Sequence, residues 1–143
     1  MLYNTDNLRI AGTQEVLPPA KLHRQLPISD AASETVFNAR TQTQAVLQGK
    51  DDRLVIIVGP CSIHDPEAAR EYAAKLKPLI SELKDDLHII MRVYFEKPRS
   101  VVGWKGLIND PYLDGSFKIN DGLHFARKLL LDLAEIGVPA ATE

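Results

Sequence analysis

Short apolar runs alternate with longer stretches whose apolar residues recur every three to four positions, and this alternation restricts the fold more than any other feature of the chain. LVIIV at 54–58 and LHIIMRVYF at 87–95 have the length and β-branched content of buried strands, and AATE at 140–143 opens a third. Between and before them lie three helical patterns. The first runs over 30–48 with Ser29 or Asp30 as N-cap; Ala32, Val36, Ala39, Thr43, Val46 and Leu47 keep the period, and Gly49 is the stop. The second starts at Pro66 behind an Asp65 cap, with Tyr72, Leu76, Leu79, Ile80 and Leu83 as its inner stripe and Pro78 as an expected kink. The third is capped by Asn120 or Asp121, carries Leu123, Ala126, Leu130, Leu133 and Ile136 inward, and stops at Gly137. Strands and helices in this order imply an α/β fold with a parallel sheet and right-handed crossovers.

Residues 1–28 show no sustained period, hold Pro18, Pro19 and Pro27, and read as an extended arm with one short helix at 20–25. The expected division is therefore an arm and helix at 1–49, suited to oligomer contacts, followed by βα units at 50–143. With 45% hydrophobic and 25% charged residues, the 143-residue chain has the make-up of one globular domain. A net charge of −2 gives no global attraction to nucleic acid or acidic membranes, so anion binding must come from local clusters of Lys and Arg. One cysteine excludes an internal disulfide, the start MLYNTDNLRI lacks a signal peptide's apolar run, and no stretch is apolar enough to span a bilayer; a cytoplasmic protein is expected. Three apolar strands can neither close a barrel nor cover both of their faces, so the chain reads as cut off at about its third strand.

Parallel α/β folds place ligands at the carboxyl ends of their strands. The first strand leads there into Gly59-Pro60-Cys61-Ser62-Ile63-His64-Asp65, the second holds Arg92 and runs into Glu96-Lys97-Pro98-Arg99-Ser100, and the third ends at Thr142-Glu143. Arg92 inside an apolar strand needs an anionic partner, either Glu143 on the next strand or a substrate carboxylate or phosphate. Arg92, Lys97, Arg99 and Lys105 set four cations against Glu96, as a phosphate-bearing ligand would require and as a solvated basic loop would also show. Ser100 can add a hydroxyl contact. The loop 96–119 is about 24 residues long, a length that in compact domains usually goes with function. Cys61 is a buried small hydrophobe or a working thiol; no local zinc spacing surrounds it, and His23, His88 and His124 have no partners at ligand spacing and read as surface residues.

GPCSIHDP, MRVYFEKPRSVVGWKGLINDP and DGLHFARKLLLDL, in this order and spacing, closely resemble the N-terminal part of the class I 3-deoxy-D-arabino-heptulosonate 7-phosphate (DAHP) synthase family. The likeness covers essentially the whole chain. It implies a (β/α)8 barrel with an N-terminal extension, and a condensation of phosphoenolpyruvate with erythrose 4-phosphate to DAHP and phosphate, the first step of the shikimate pathway. It further implies a divalent metal of the Mn, Fe, Co or Zn type with Cys61 as first ligand, the other ligands lying on later strands. By the same resemblance Arg92 and Lys97 hold phosphoenolpyruvate, with Lys97 catalytic; Arg99 and Ser100 hold the phosphate of erythrose 4-phosphate; and Glu143 lies near phosphoenolpyruvate through water. The family usually has Thr where this chain has Ser100, which keeps the hydroxyl. The opening residues are most like the phenylalanine-sensitive isozyme, which implies a homotetramer and makes Asp6 a candidate contact for an aromatic amino acid effector, although Asn7 replaces a second acidic residue. Two other readings stay open: a sister synthase using arabinose 5-phosphate, against which the Lys-Pro-Arg-Ser order argues, and a non-catalytic ligand-binding module.

Overall fold

A computed structural model describes residues 5–10, 12–97 and 103–143. Helix α1 spans Pro19–Gln25 and α2 Asp30–Leu47; strand β1 (Leu54–Val58), helix α3 (Pro66–Glu82), strand β2 (Leu87–Arg92), helix α4 (Ile119–Glu135) and strand β3 (Ala140–Ala141) follow. The strands form one parallel sheet in the order β1-β2-β3, with Val58 opposite Met91 and Arg92 opposite Ala141. The ladder on β2 ends at Arg92 rather than at Phe95, because β3 pairs only with Met91 and Arg92.

Side chains alternate between the two faces of a strand, and paired residues of parallel strands share a face. One face carries Ile56, Val58, Ile89, Met91, Val93 and Phe95 and packs against Ala69, Ala73 and Leu76 of α3 and Ala126, Leu129 and Leu133 of α4. Successive right-handed crossovers deliver both helices to that side. The opposite face presents Val55, Ile57, His88, Ile90 and Arg92.

Helix starts follow local chemistry in two of the three long helices. Ser29 Oγ accepts the Ala32 amide at 3.1 Å, and Asp65 Oδ1 accepts the Glu67 and Ala68 amides at 2.8 and 3.3 Å, with Pro66 at the first helical position. Helix α4 differs: it begins at Ile119 after Lys118, without a side-chain cap. Asn120 instead reaches away from its own helix, accepting the Leu17 amide at 2.8 Å and donating to the Glu15 carbonyl at 3.0 Å, so it fastens the arm. Helix α3 continues through Pro78, whose ring lies on the exposed side.

The inner stripes agree in part with those read in the sequence: Leu76 in α3 and Ala126 and Leu133 in α4 are core residues, and Tyr72, Ile80 and Leu130 pack against the core. Ala69, Ala73 and Leu76 face the core in α3 while Leu79 and Leu83 are exposed; in α4 Gly122, Ala126, Leu129 and Leu133 face it and Ile136 is exposed. His88 is a plain correction: it is buried at 5% exposure rather than at the surface. Its Nε2 lies 2.9 Å from Thr43 Oγ1 and 3.2 Å from the Ala39 carbonyl, which tie β2 to α2. A carbonyl only accepts, so Nε2 carries the proton of a neutral ring, and burial is the main reason the imidazole is held below its ordinary protonation range. His124 is half-buried, bound at Nδ1 to its own helix and at Nε2 to Gln25 of α1, whereas His23 is exposed as expected. Beside β1, Arg53 grips Asp51 through Nε and Nη2 and holds that carboxyl down at about 2.

Candidate active site

Two glycines allow close backbone approach at this end of the sheet, Gly59 between β1 and β2 and Gly106 where the following loop returns. Gly59 stands opposite Arg92 at the end of the ladder, and a Cβ there would fall 2.8 Å from the Arg92 carbonyl oxygen and 3.2 Å from its Cβ. The chain leaving β1 then turns back, and the Ile63 amide donates to the Tyr94 carbonyl at 2.7 Å. With Ile63 buried beneath it, this turn holds Cys61 outward.

The segment after β2 is fixed by a return of its own loop. Glu96 and Gly106 form an antiparallel bridge, with Leu107 N donating to Phe95 O at 2.8 Å and Lys97 N to Lys105 O at 3.0 Å. Gly106 has φ +134°, and a Cβ on it would stand 1.9 Å from the Phe95 oxygen, a position no side chain can take. Behind this bridge the Trp104 indole donates to the Asp110 carbonyl at 2.7 Å, and Asn109 donates to Glu96 Oε1 at 3.1 Å. The long loop is thus an ordered scaffold where it is described.

Three residues expected to act together are placed at this end of the sheet. Lys97 Nζ donates to Cys61 Sγ at 3.1 Å across 36 positions of sequence. The thiol is exposed, so the space-filling alternative for Cys61 is overturned. Arg92 projects from the face opposite the core, half-buried, with its Cζ 4.2 Å from the centre of the Tyr94 ring. Its buried Nε has no hydrogen-bond partner among the described residues. The ion pair of Arg92 with Glu143 is not formed: Glu143 is exposed beyond the two-residue β3, and the four salt bridges among the described residues involve neither. Asp6 is exposed in the arm. Arg99 and Ser100 lie outside the described residues.

A metal needs several donors, and among the described residues no three His, Cys, Asp or Glu side chains are grouped to hold one. Cys61 fits as a single soft donor: it is exposed at the mouth of the parallel strands, and the Lys97 ammonium supplies the cation a thiolate would face there. Sequence reasoning missed Tyr94 as the support of Arg92, although residues two apart in a strand share a face. It also missed the buried Asp110, whose Oδ2 accepts the Gly115 amide at 3.1 Å; nothing in the local pattern distinguishes it from a loop aspartate.

A family model described as "DAHP synthetase I family" matches residues 28–143. The chain is 58% identical over 143 residues to the "Phospho-2-dehydro-3-deoxyheptonate aldolase, Phe-sensitive" of Escherichia coli (strain K12), covering 100% of this chain and 41% of that protein. It is 53% identical over 139 residues to the Trp-sensitive aldolase of that name from Buchnera aphidicola, covering 97% and 40%. A solved structure, that of phospho-2-dehydro-3-deoxyheptonate aldolase from Francisella tularensis SCHU S4, superposes with a TM-score of 0.90 at 50% identity, over 93% of this chain and 39% of that one. The chain therefore spans about two fifths of the length of these relatives.

Proposed function

Because this chain belongs to the DAHP synthetase I family, we propose that it supplies the first part of the active site of a phospho-2-dehydro-3-deoxyheptonate aldolase, and that its three parallel strands are the first three of a (β/α)8 barrel. The observation that carries this reading is the meeting of Cys61 and Lys97 at 3.1 Å, at the same end of the sheet as a guanidinium that no described carboxylate occupies. A thiol, an ammonium and an open guanidinium at the strand ends suit a metal-assisted reaction between anions.

In this reading Arg92 and Lys97 bind phosphoenolpyruvate, Arg99 and Ser100 bind the phosphate of erythrose 4-phosphate, and Glu143 borders phosphoenolpyruvate through water. Held together, the two phosphates repel, and the cations offset that repulsion while orienting the reacting carbons. C3 of phosphoenolpyruvate then bonds to the aldehyde carbon, water adds at C2, and phosphate departs by C–O cleavage. A divalent metal bound through the Cys61 thiolate, with further donors outside the described residues, would supply Lewis-acid polarisation of the aldehyde oxygen. The Lys97 ammonium balances the negative charge that gathers beside the sulfur. The relatives named Phe-sensitive, tyrosine-inhibited and Trp-sensitive suggest an aromatic amino acid effector, for which Asp6 in the arm is the candidate contact, in a homo-oligomer built partly through residues 1–49.

The test is the loss of the phosphoenolpyruvate enol absorbance when the full protein, loaded with manganese, is given erythrose 4-phosphate or arabinose 5-phosphate. Consumption with erythrose 4-phosphate and release of one phosphate per turnover are expected. Preference for arabinose 5-phosphate would make it the sister synthase, and binding without turnover would make it a ligand-binding module.

A further inference from the structure

Resting on the phosphoenolpyruvate reading above, we propose that Tyr94 is a positioning residue for Arg92, its ring face holding the guanidinium so that the in-plane N–H donors stay open to the anion. A guanidinium on a sheet face is ordinarily fixed by a carboxylate, and here the carboxylate best placed in sequence, Glu143, does not pair with it. The ring 4.2 Å away takes that place. A carboxylate would occupy the donors that an incoming carboxylate or phosphate needs, and it would repel the ligand. An aromatic face attracts the cation through its quadrupole and leaves every N–H unspent.

The backbone supports the same arrangement from both sides. Arg92 and Tyr94 are two residues apart in extended chain and so share the face opposite the core, while the intervening Val93 is fully buried and anchored by its amide to the Ala141 carbonyl at 2.8 Å. Tyr94 is itself held through its carbonyl, which accepts the Ile63 amide from the turn that carries Cys61. Gly59 lets the β1 backbone press against Arg92 with no side chain between them. The Tyr94 backbone is thus tied to the turn bearing the thiol, and the guanidinium rests on the Tyr94 ring. Nε is buried and has no hydrogen-bond partner among the described residues, so no acceptor there competes with the anion for the guanidinium.

The experiment measures phosphoenolpyruvate affinity by calorimetry and, separately, KM and kcat in the full protein. Tyr94→Phe keeps the ring and should leave both within about twofold, whereas Tyr94→Leu and Tyr94→Met should weaken phosphoenolpyruvate binding about 5-fold or more with kcat much less affected. Because an aliphatic variant can also fail by unfolding, a second series places Phe, monofluoro-, trifluoro- and pentafluoro-phenylalanine at position 94. Size is nearly constant along this series and the ring quadrupole falls, so the dissociation constant should rise stepwise. A flat series, or Tyr94→Phe as damaged as Tyr94→Leu, overturns the proposal. Wild-type protein that binds phosphoenolpyruvate without turning it over would overturn the synthase reading while the affinity series still decides the role of Tyr94. Wild-type protein that does not bind phosphoenolpyruvate overturns both.

Discussion

Cys61 shows what a single residue can and cannot reveal before it is placed. Its position after an apolar strand is readable, but the ammonium 3.1 Å from its sulfur comes from Lys97, and no local spacing announces a contact across 36 residues. If the thiol is a metal donor, Cys61→Ala should cut manganese-dependent turnover at least about 100-fold, the upper end of what loss of a hydrogen-bond partner behind a metal ligand costs, while phosphoenolpyruvate affinity stays near wild type. Turnover within tenfold would remove Cys61 from the metal site. Gly106 is the complementary case of a residue that matters for what it lacks. Gly106→Ala places a methyl where the Phe95 carbonyl already lies, 1.9 Å away, so the return that fixes Lys97 must open. Overpacking and backbone strain together should cost about 2–4 kcal/mol, read from urea midpoints. His88 is as hard to read locally as Cys61: its burial is decided by what α2 covers, and Thr43 and Ala39 lie more than forty residues upstream. Its ring is held below the ordinary value of 6.5 chiefly by burial, with the Arg53 charge adding to it and the Ala39 carbonyl opposing it. The unfolded chain therefore takes up that proton first as pH falls. Stability should be complete above 6.5 and decline below it, and His88→Gln should lack that component when urea midpoints are compared between about pH 8 and pH 5.5.

Elements were more legible than residues wherever their ends are set by local chemistry. Asp65 and Pro66 fix the start of α3 because the carboxylate accepts amides two and three residues on, an interaction wholly contained in the motif. Asp65→Ala should therefore cost about 1 kcal/mol, visible as a lower melting temperature, and Asp65→Ser should recover most of it. Where an element's neighbour decides, the local pattern misleads. Asn120 has the chemistry of a cap, yet in α4 it binds the arm at Glu15 and Leu17, over a hundred residues away. The stripe read as Leu123, Ala126, Leu130, Leu133 and Ile136 holds at Ala126 and Leu133, while Leu129 is also buried and Ile136 is exposed, because leucines at 129, 130 and 131 allow several helical faces and the sheet selects one. Strand β2 is shorter than its apolar run because a ladder needs a partner, and β3 supplies two residues. A run of strand-forming residues specifies extended chain; pairing has to come from elsewhere.

At the scale of the molecule, alternating strands and helices fixed the parallel sheet and the side of it that α3 and α4 cover, since crossover handedness leaves one choice. The opposite face is a different matter. On it His88 and Ile90 are buried, His88 against α2, but Ile57 is 54% exposed, and both outer strands present unpaired edges within the described sheet. Parallel sheets are stable when both faces are covered and their edges are paired or closed. Proposed as the opening of a barrel, this sheet has its ligand-binding cations and thiol on one rim, with its inner wall covered by α2 at His88 and open to water at Ile57. A polypeptide limited to these 143 residues should then bind an apolar-surface dye such as anilinonaphthalene sulfonate strongly, self-associate through its edges, and form no DAHP from phosphoenolpyruvate, erythrose 4-phosphate and manganese. The reason is geometric: Cys61 supplies one metal donor, and orientation of two phosphates needs cations on opposite walls of a site, of which one wall is present among the described residues. Sizing by light scattering with a phosphate-release assay on the same sample checks it. A monodisperse monomer that turns over at the rate of a relative of full length would show that three strands suffice, and the barrel proposal would fall with it.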